Sequence, residues 1–360
     1  MQKILTVVGA RPQFVKAAAL SRAIKKTDIE EVLVHTGQHF DKNMAEVFFE
    51  EMDIPKPKYN LGINSLSHGA MTGRMLEEIE KVLLKEKPGI VVVFGDTNST
   101  LAAALAASKL HIPVAHVEAG LRSFNMKMPE EINRILTDRI SDILFCPTET
   151  AVKNLTAEGF DNFENSVENI GDVMYDVAMY YSQFSDKRSS LPDEITNSKK
   201  PVVLSTLHRQ ENTDNLTRLQ SIAEALNTLS EQFNIVLPVH PRTKNILENE
   251  NIKLNFTPID PVGYFDMIEL LKKCRFVISD SGGLQKEAFF FEKQCLVIRD
   301  ETEWTELVDL GYNYLVGAKT ELILEKANFV ANNNIKFTLK PYGDGDAADK
   351  IALFLEQFLK

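Results

Sequence analysis

The stretch Phe276-Val277-Ile278-Ser279-Asp280-Ser281-Gly282-Gly283-Leu284-Gln285-Lys286-Glu287 decides the fold. Its first three residues form a short apolar run, the pattern of a parallel strand covered on both faces. Asp280 and Ser281 are helix N-cap types, Gly282 and Gly283 let a backbone come close, and residues 284–291 carry a helical pattern. A strand that ends in Ser-Gly-Gly and opens a helix presents unpaired amides at the positive end of a helix dipole, which suits a phosphate. Glu287 follows about one turn into that helix, within reach of sugar hydroxyls. An ordinary strand-to-helix turn could carry the same residues, so one such turn indicates a ligand only if others like it recur.

They recur on both sides. Residues 202–206 read as a strand ending in Leu207-His208-Arg209-Gln210-Glu211-Asn212, and 235–239 as another leading into His240-Pro241-Arg242. A strand near Leu254, a helix from Val262 and a strand at 295–298 running into Arg299-Asp300 complete this half. In the first half, residues 4–8 lead into Gly9-Ala10-Arg11-Pro12 and a helix with Lys16 in its first turn. Residues 90–94 form a continuous apolar strand ending in Gly95-Asp96-Thr97, and 112–117 a strand ending in Glu118-Ala119-Gly120. Asp96 and Glu118 therefore stand at the carboxyl ends of consecutive strands, where open parallel sheets bind ligands. Pro129-Glu130-Glu131 has helix-start chemistry, and Glu130 is one turn from Arg134, close enough to pair. Residues 143–146 add a strand. His35 and His39 are four apart, but on a strand and loop without an accompanying carboxylate, which argues against a metal site.

The alternation predicts an α/β fold of two doubly wound domains. Residues 1–171 form the first and 201–340 the second, joined by a linker region at 172–200 whose residues 172–184 read as helical and 185–200 as polar and turn-rich, and followed by an amphipathic C-terminal helix within 341–360. The net charge of −11 argues against nucleic acid or an anionic membrane surface as the main partner. Three cysteines far apart, Cys146, Cys274 and Cys295, read as reduced core thiols of a cytoplasmic protein. No apolar run reaches the length of a membrane span, and the first residues lack a signal-peptide core.

Basic groups and amides for a diphosphate, with acids at the rim of the other sheet, point to a sugar nucleotide. No Walker lysine loop, dinucleotide turn, serine elbow or metal-ligand cluster is present, so side chains alone would carry the chemistry. Carboxylates plus an imidazole can move a proton from carbon when a leaving group departs in concert.

Across nearly its whole length the sequence resembles the non-hydrolysing UDP-N-acetylglucosamine 2-epimerases. The resemblance is carried by Gly9-Ala10-Arg11-Pro12 with Lys16, Gly95-Asp96-Thr97, His116 to Arg122, and Pro129-Glu130-Glu131 with Asn133-Arg134. In the second half it is carried by His208-Arg209, Pro238-Val239-His240, Asp280 to Gly283 with Gln285 and Glu287, Arg299-Asp300, and Tyr342-Gly343-Asp344-Gly345. It implies two Rossmann-like domains facing across a cleft, as in type-B glycosyltransferases, a C-terminal helix returning to the first domain, a homodimer and no cofactor. Ser281, Gly282 and Gly283 would hold the phosphates and Glu287 the ribose; Arg11, Lys16 and His208 would neutralise the diphosphate. Arg134, Arg209, His240, Met267 and Arg299 complete the implied binding set. Asp96, Glu118 and Glu130, with His208, would be the catalytic groups. The reaction implied is C2 epimerisation of a UDP-linked 2-acetamido sugar for surface polysaccharide precursors, by elimination of UDP and its re-addition. A subgroup acts on 2,3-diacetamido uronic acid nucleotides, and the residues leave both substrates open. A glycosyltransferase of the same architecture, a hydrolysing epimerase and a non-catalytic binder are the rivals. Two departures stand out: Trp304 occupies the place of a nucleotide-contacting arginine, and Met267 that of an aromatic beside uracil. Of a regulatory Gln-His-Arg-Gln stretch, Gln38 and His39 remain, followed by Phe40 and Asp41.

Overall fold

Ile90–Phe94 is five apolar residues in a row, each fully buried, and becomes the centre of a seven-stranded sheet. The computed structural model describes residues 2–38, 55–192, 195 and 198–360, with only the backbone at Arg11. His39, Phe40 and Asp41 fall outside them. The chain divides into two units, Met1–Val177 with Lys340–Lys360, and Ala178–Leu339.

In the first unit the strands are β1 (Gln2–Val8), β2 (Ile29–His35), β3 (Tyr59–Asn60), β4 (Ile90–Phe94), β5 (Val114–Val117), β6 (Ile143–Cys146) and β7 (Ser166–Asn169). They lie in the order β3-β2-β1-β4-β5-β6-β7, all parallel. The order reverses between β1 and β4, and such a switch point opens a crevice at the carboxyl ends of the two strands. One side chain staples that crevice. Gln13 accepts from the amides of Gly9 (2.7 Å) and Ala10 (3.0 Å) and donates to the Phe94 carbonyl (2.7 Å). The helix Asn98–Lys109 buries Ala102, Ala103, Ala104, Ala106 and Ala107, small side chains that let it lie close to the sheet. Gly9 is required for packing, since a Cβ there would collide with the hydroxyls of Ser99 and Thr36.

The C-terminal helix Ala347–Phe358 belongs to this unit. Phe354 meets Phe145 edge-on with centroids 5.4 Å apart, and Gln2 donates to the Leu359 carbonyl (2.7 Å). Its first turn is capped from a distance: Asp176, on the helix Val173–Ser182, accepts from the Ala348 amide at 2.7 Å. Burial pushes the Asp176 carboxyl up to about 6, with Asp172 and Asp346 adding to the effect. A carboxyl raised in the folded state favours folding while protonated. That contribution is complete below the ordinary aspartate value of about 4 and is lost as pH rises through 6. Asp176→Asn, which keeps an acceptor and removes the charge, is expected to raise the melting temperature by a few degrees at pH 7.5 and to leave it unchanged near pH 4. Melting curves at the two pH values check this; an equal difference at both would rule out the buried charge as cause.

The second unit holds β8 (Val202–Thr206), β9 (Asn234–Val236), β10 (Phe276–Ser279), β11 (Cys295–Val297) and β12 (Asn313–Leu315), again parallel, in the order β12-β11-β10-β8-β9. Here the switch point falls between β8 and β10. The strand expected near Leu254 does not form. Ile252, Leu254 and Phe256 pack against the core without pairing in the sheet, and the chain joins the sheet's edge by a parallel bridge, Pro238 to Ile259. The region 172–200 carries the helices Val173–Ser182 and Ser185–Arg188. Cys146, Cys274 and Cys295 are buried free thiols, and burial pushes Cys274 up to about 12. Among the described residues no helix is long and apolar enough to cross a membrane.

Candidate active site

The switch point of the first sheet gathers four of the expected side chains. Lys16 donates to Glu118, and both are largely buried. Arg134 pairs with Asp96 through one nitrogen and with Glu131 through the other, at 2.5 Å. The spacing left Glu130 able to pair with Arg134, but Arg134 pairs with Glu131 and Asp96. On the helix Pro129–Arg139, Glu131 faces inward and Glu130 is exposed. The Glu118 carboxylate lies over Gly95: a Cβ built on that glycine would come 3.2 Å from Glu118 Oε2 and 3.6 Å from Lys16 Nζ. Asp96 and Glu118 thus share one small region with a cation beside each. Burial pushes the Asp96 carboxyl up from its usual value, and the Arg134 guanidinium opposes that shift.

The backbone is bent to make this possible. Gly95, Glu118 and Gly120 all have left-handed φ, +60°, +75° and +77°. For a residue with a side chain that conformation costs about 1–2 kcal/mol, so Glu118 is held there by its surroundings. The amides of Glu118 and Ala119 both donate to the Phe145 carbonyl at 3.1 Å. Glu131, fully buried, accepts from the amides of Ser123 and Phe124 and fixes the loop leading to the helix Pro129–Arg139. Burial works against its charge, but those amides and Arg134 hold it below the usual carboxylate range.

The second sheet builds its own cluster. Asp280, fully buried at the end of β10, accepts from the amides of His208 (3.0 Å) and Arg209 (2.9 Å) and meets His208 Nδ1 at 3.1 Å. Burial opposes its charge, yet His208 and the amides keep it below its usual value. One carboxylate therefore ties the turn after β8 to the turn after β10. The His208 ring is half exposed above it. Ser281 caps the helix Gly282–Phe290 by accepting from the Leu284 amide. Around Gly282, a Cβ would stand 3.6 Å from Glu303, 3.7 Å from Arg209 and 4.0 Å from Arg299. Arg299 is buried and pairs with Glu303 at 2.9 Å. His208, Arg209, Ser281, Gly282 and Arg299 are thus brought together. His240 is the exposed N-cap of the helix Pro241–Asn249, its ring accepting from the Arg242 amide. Met267 packs partly buried against the second unit's core, and Glu287 lies on the helix that Gly282 begins.

No metal grouping occurs among the described residues, and His39 lies outside them. The sequence profile described as UDP-N-acetylglucosamine 2-epimerase matches residues 22–356. The chain belongs to that family.

The epimerase is 56% identical over 357 residues to the UDP-2,3-diacetamido-2,3-dideoxy-D-glucuronate 2-epimerase of Pseudomonas aeruginosa, covering 98% of this chain and 99% of that one. It is similar to the crystal structure of the Methanocaldococcus jannaschii UDP-GlcNAc 2-epimerase in complex with UDP-GlcNAc and UDP, with TM-score 0.87, 43% identity, and 99% and 100% of the chains covered. A glycosyltransferase structure from Rickettsia africae matches at TM-score 0.56 and 16% identity over 99% and 93% of the chains, which shows a shared fold alone.

Several residues that shape this epimerase's site lie beyond the sequence-predicted set. Gln13, Glu131, Asp138 and Asp280 each fix a turn through its backbone amides or carbonyls, and Glu131 and Asp280 also bond Arg134 and His208 directly. Trp304 is the clearest case. Its indole N–H donates to the Gly282 carbonyl at 2.8 Å, and Lys286 sits 4.2 Å over its ring. In this chain the tryptophan braces the glycine turn. A peptide is planar, so holding the Gly282 carbonyl also sets the direction of the Gly283 N–H.

Proposed function

We propose that this UDP-sugar 2-epimerase acts on a UDP-linked 2,3-diacetamido uronic acid, inverting C2 without hydrolysis. The observation that carries the substrate is the 56% identity to the Pseudomonas aeruginosa enzyme over almost the full length of both chains, against 43% to the Methanocaldococcus jannaschii enzyme. UDP-N-acetylglucosamine is the second reading, favoured by the relative whose structure holds it.

The proposed chemistry needs two carboxylates and a site for a departing diphosphate. One carboxylate takes the C2 proton, the C–H pair becomes the C1=C2 bond, and the C1–O pair leaves with UDP. A proton is then delivered to the opposite face of C2, and UDP adds back to C1. Asp96 and Glu118 are assigned these proton transfers, with Lys16 and Arg134 beside them to steady the changing charge. The diphosphate is assigned to the Ser281–Gly283 amides at the start of the helix Gly282–Phe290, with His208, Arg209 and Arg299. Glu130, exposed at the first turn of its helix, is the third candidate acid of this reading, and Arg11 a candidate contact for the diphosphate. A homodimer is part of it too, supported by the exposed apolar side chains Phe124, Met126, Ile132 and Leu136 on one loop and helix.

Incubation with each nucleotide sugar in heavy water, followed by NMR at C2, tests the substrate. Deuterium at C2 with the nucleotide still attached, and kcat/KM at least 100-fold higher for the diacetamido uronic acid, is the expected result. A preference for UDP-N-acetylglucosamine would replace the first reading by the second, and release of free sugar would overturn both.

A further inference from the structure

Between the two acid-bearing turns of the first unit runs a buried polar bridge. His116, on β5, directs Nε2 at the Gly95 carbonyl (2.7 Å) and Nδ1 at Asp138 (2.6 Å). The other Asp138 oxygen accepts from the Gly120 amide (3.1 Å) and from Arg122 (2.7 Å). Arg122 is in turn chelated by Glu158 at 2.6 and 2.8 Å. His116 and Asp138 are completely buried, and Arg122 nearly so. A carbonyl can only accept, so Nε2 carries a hydrogen; a second hydrogen lies between Nδ1 and Asp138, and the imidazole orientation is fixed at both ends.

Its endpoints give this bridge its interest. Gly95 precedes Asp96, and Gly120 follows Glu118 by two residues. Both glycines and Glu118 are in left-handed backbone, free to a glycine but held in a residue with a side chain, here Glu118, only where neighbours enforce it. Interior filling would be served as well by apolar side chains, and leaving buried charge in place is costly unless it is fully bonded. Here every arm ends on a turn that holds one of the two carboxylates or on a group that locks Asp138.

We propose that His116 is a positioning residue for the epimerisation, with Asp138 as its anchor: it fixes the Gly95–Asp96 turn relative to the Glu118–Gly120 turn, and so the spacing of the two carboxylates. Proton transfer falls off steeply when donor and acceptor move by an ångström, so the bridge acts on turnover rather than on nucleotide binding, most of which the proposal assigns to the second unit. This rests on the assignment of Asp96 and Glu118 as the proton-transfer groups.

The test compares His116→Gln, whose amide can still donate to the Gly95 carbonyl, with His116→Phe, which fills the space and loses both bonds. Expected for the Phe variant is a kcat at least 100-fold lower, and for the Gln variant one about 10-fold lower, with the Kd for UDP within 2-fold of wild type in both. Equal kcat in the two variants, or kcat and UDP affinity falling together with the melting temperature, would leave the bridge a purely structural feature. Should the Phe variant give no folded protein, the Gln variant decides: a lowered kcat at unchanged UDP affinity supports the proposal, and wild-type kcat overturns it. Asp96→Asn and Glu118→Gln in the same assay separate the two ideas. Turnover retained there would sink the assignment of the acids; turnover lost there but kept in His116→Phe would sink the bridge alone.

Discussion

Glu118→Gln and Asp96→Asn will each lower the rate of C2 exchange by about 10³-fold or more, with UDP affinity within about 2-fold of wild type. The magnitude follows from what a positioned acid or base contributes, about 10²–10⁴-fold, with a further loss where the amide disturbs a paired cation. The two substitutions differ in their side effects. Removing the charge at Glu118 strands Lys16, which is buried and has that carboxylate beside it, so some stability will go with the activity. Removing it at Asp96 leaves Arg134 with Glu131 at 2.5 Å, and the fold should tolerate the change. Asp96→Asn is therefore the cleaner probe. Solvent deuterium entering C2 at a normal rate in both variants would end the proton-transfer assignment, while a loss of UDP binding would mean that the first unit's acids serve the nucleotide instead.

Much of this arrangement was legible in the sequence because strands of parallel sheets announce themselves. Ile90–Phe94, Ile143–Cys146 and Val202–Thr206 are unbroken or nearly unbroken apolar runs, and the structure places strands at those residues. Residues just past a strand's carboxyl end are then site candidates by topology, which is how Asp96, Glu118, His208 and Ser281 were found. Short edge strands were not legible. β7 (Ser166–Asn169) and β12 (Asn313–Leu315) mix polar and apolar residues, and only their neighbours make them strands.

Residues that hold the site by acting on backbone were the harder part. Gln13 and Asp138 sit on helices and look like any polar helical residue; their meaning lies in which carbonyls and amides the fold brings to them. Glu130 and Glu131 show the limit of spacing arguments. A four-residue interval left Glu130 open as a partner of Arg134, but the rotation of the helix Pro129–Arg139 turns Glu131 inward, and the pair forms three residues apart. Trp304 carried no signal for its role as a brace, because the acceptor of its N–H is the carbonyl of a glycine.

Gly282→Ala will weaken UDP binding by at least about 10-fold without lowering the melting temperature. The two glycines at Gly9 and Gly282 serve different ends, and the geometry separates them. A Cβ on Gly9 collides with two hydroxyls, so that glycine is needed for the fold. A Cβ on Gly282 meets only ordinary contacts, 3.6 Å or more away, in backbone that any residue adopts. At the first position of a helix, alanine in place of glycine should even add about 0.4–1 kcal/mol by restricting the unfolded chain. The methyl, however, stands in front of Arg209, Arg299 and Glu303, the ground a phosphate oxygen would need in order to accept from the guanidiniums. If the glycine is there for a ligand, the cost must fall on the ligand. Calorimetric titration with UDP alongside a melting curve reads both quantities at once. Unchanged affinity in a stable variant would move the diphosphate away from this turn, and a drop in melting temperature with it would make Gly282 a packing residue like Gly9.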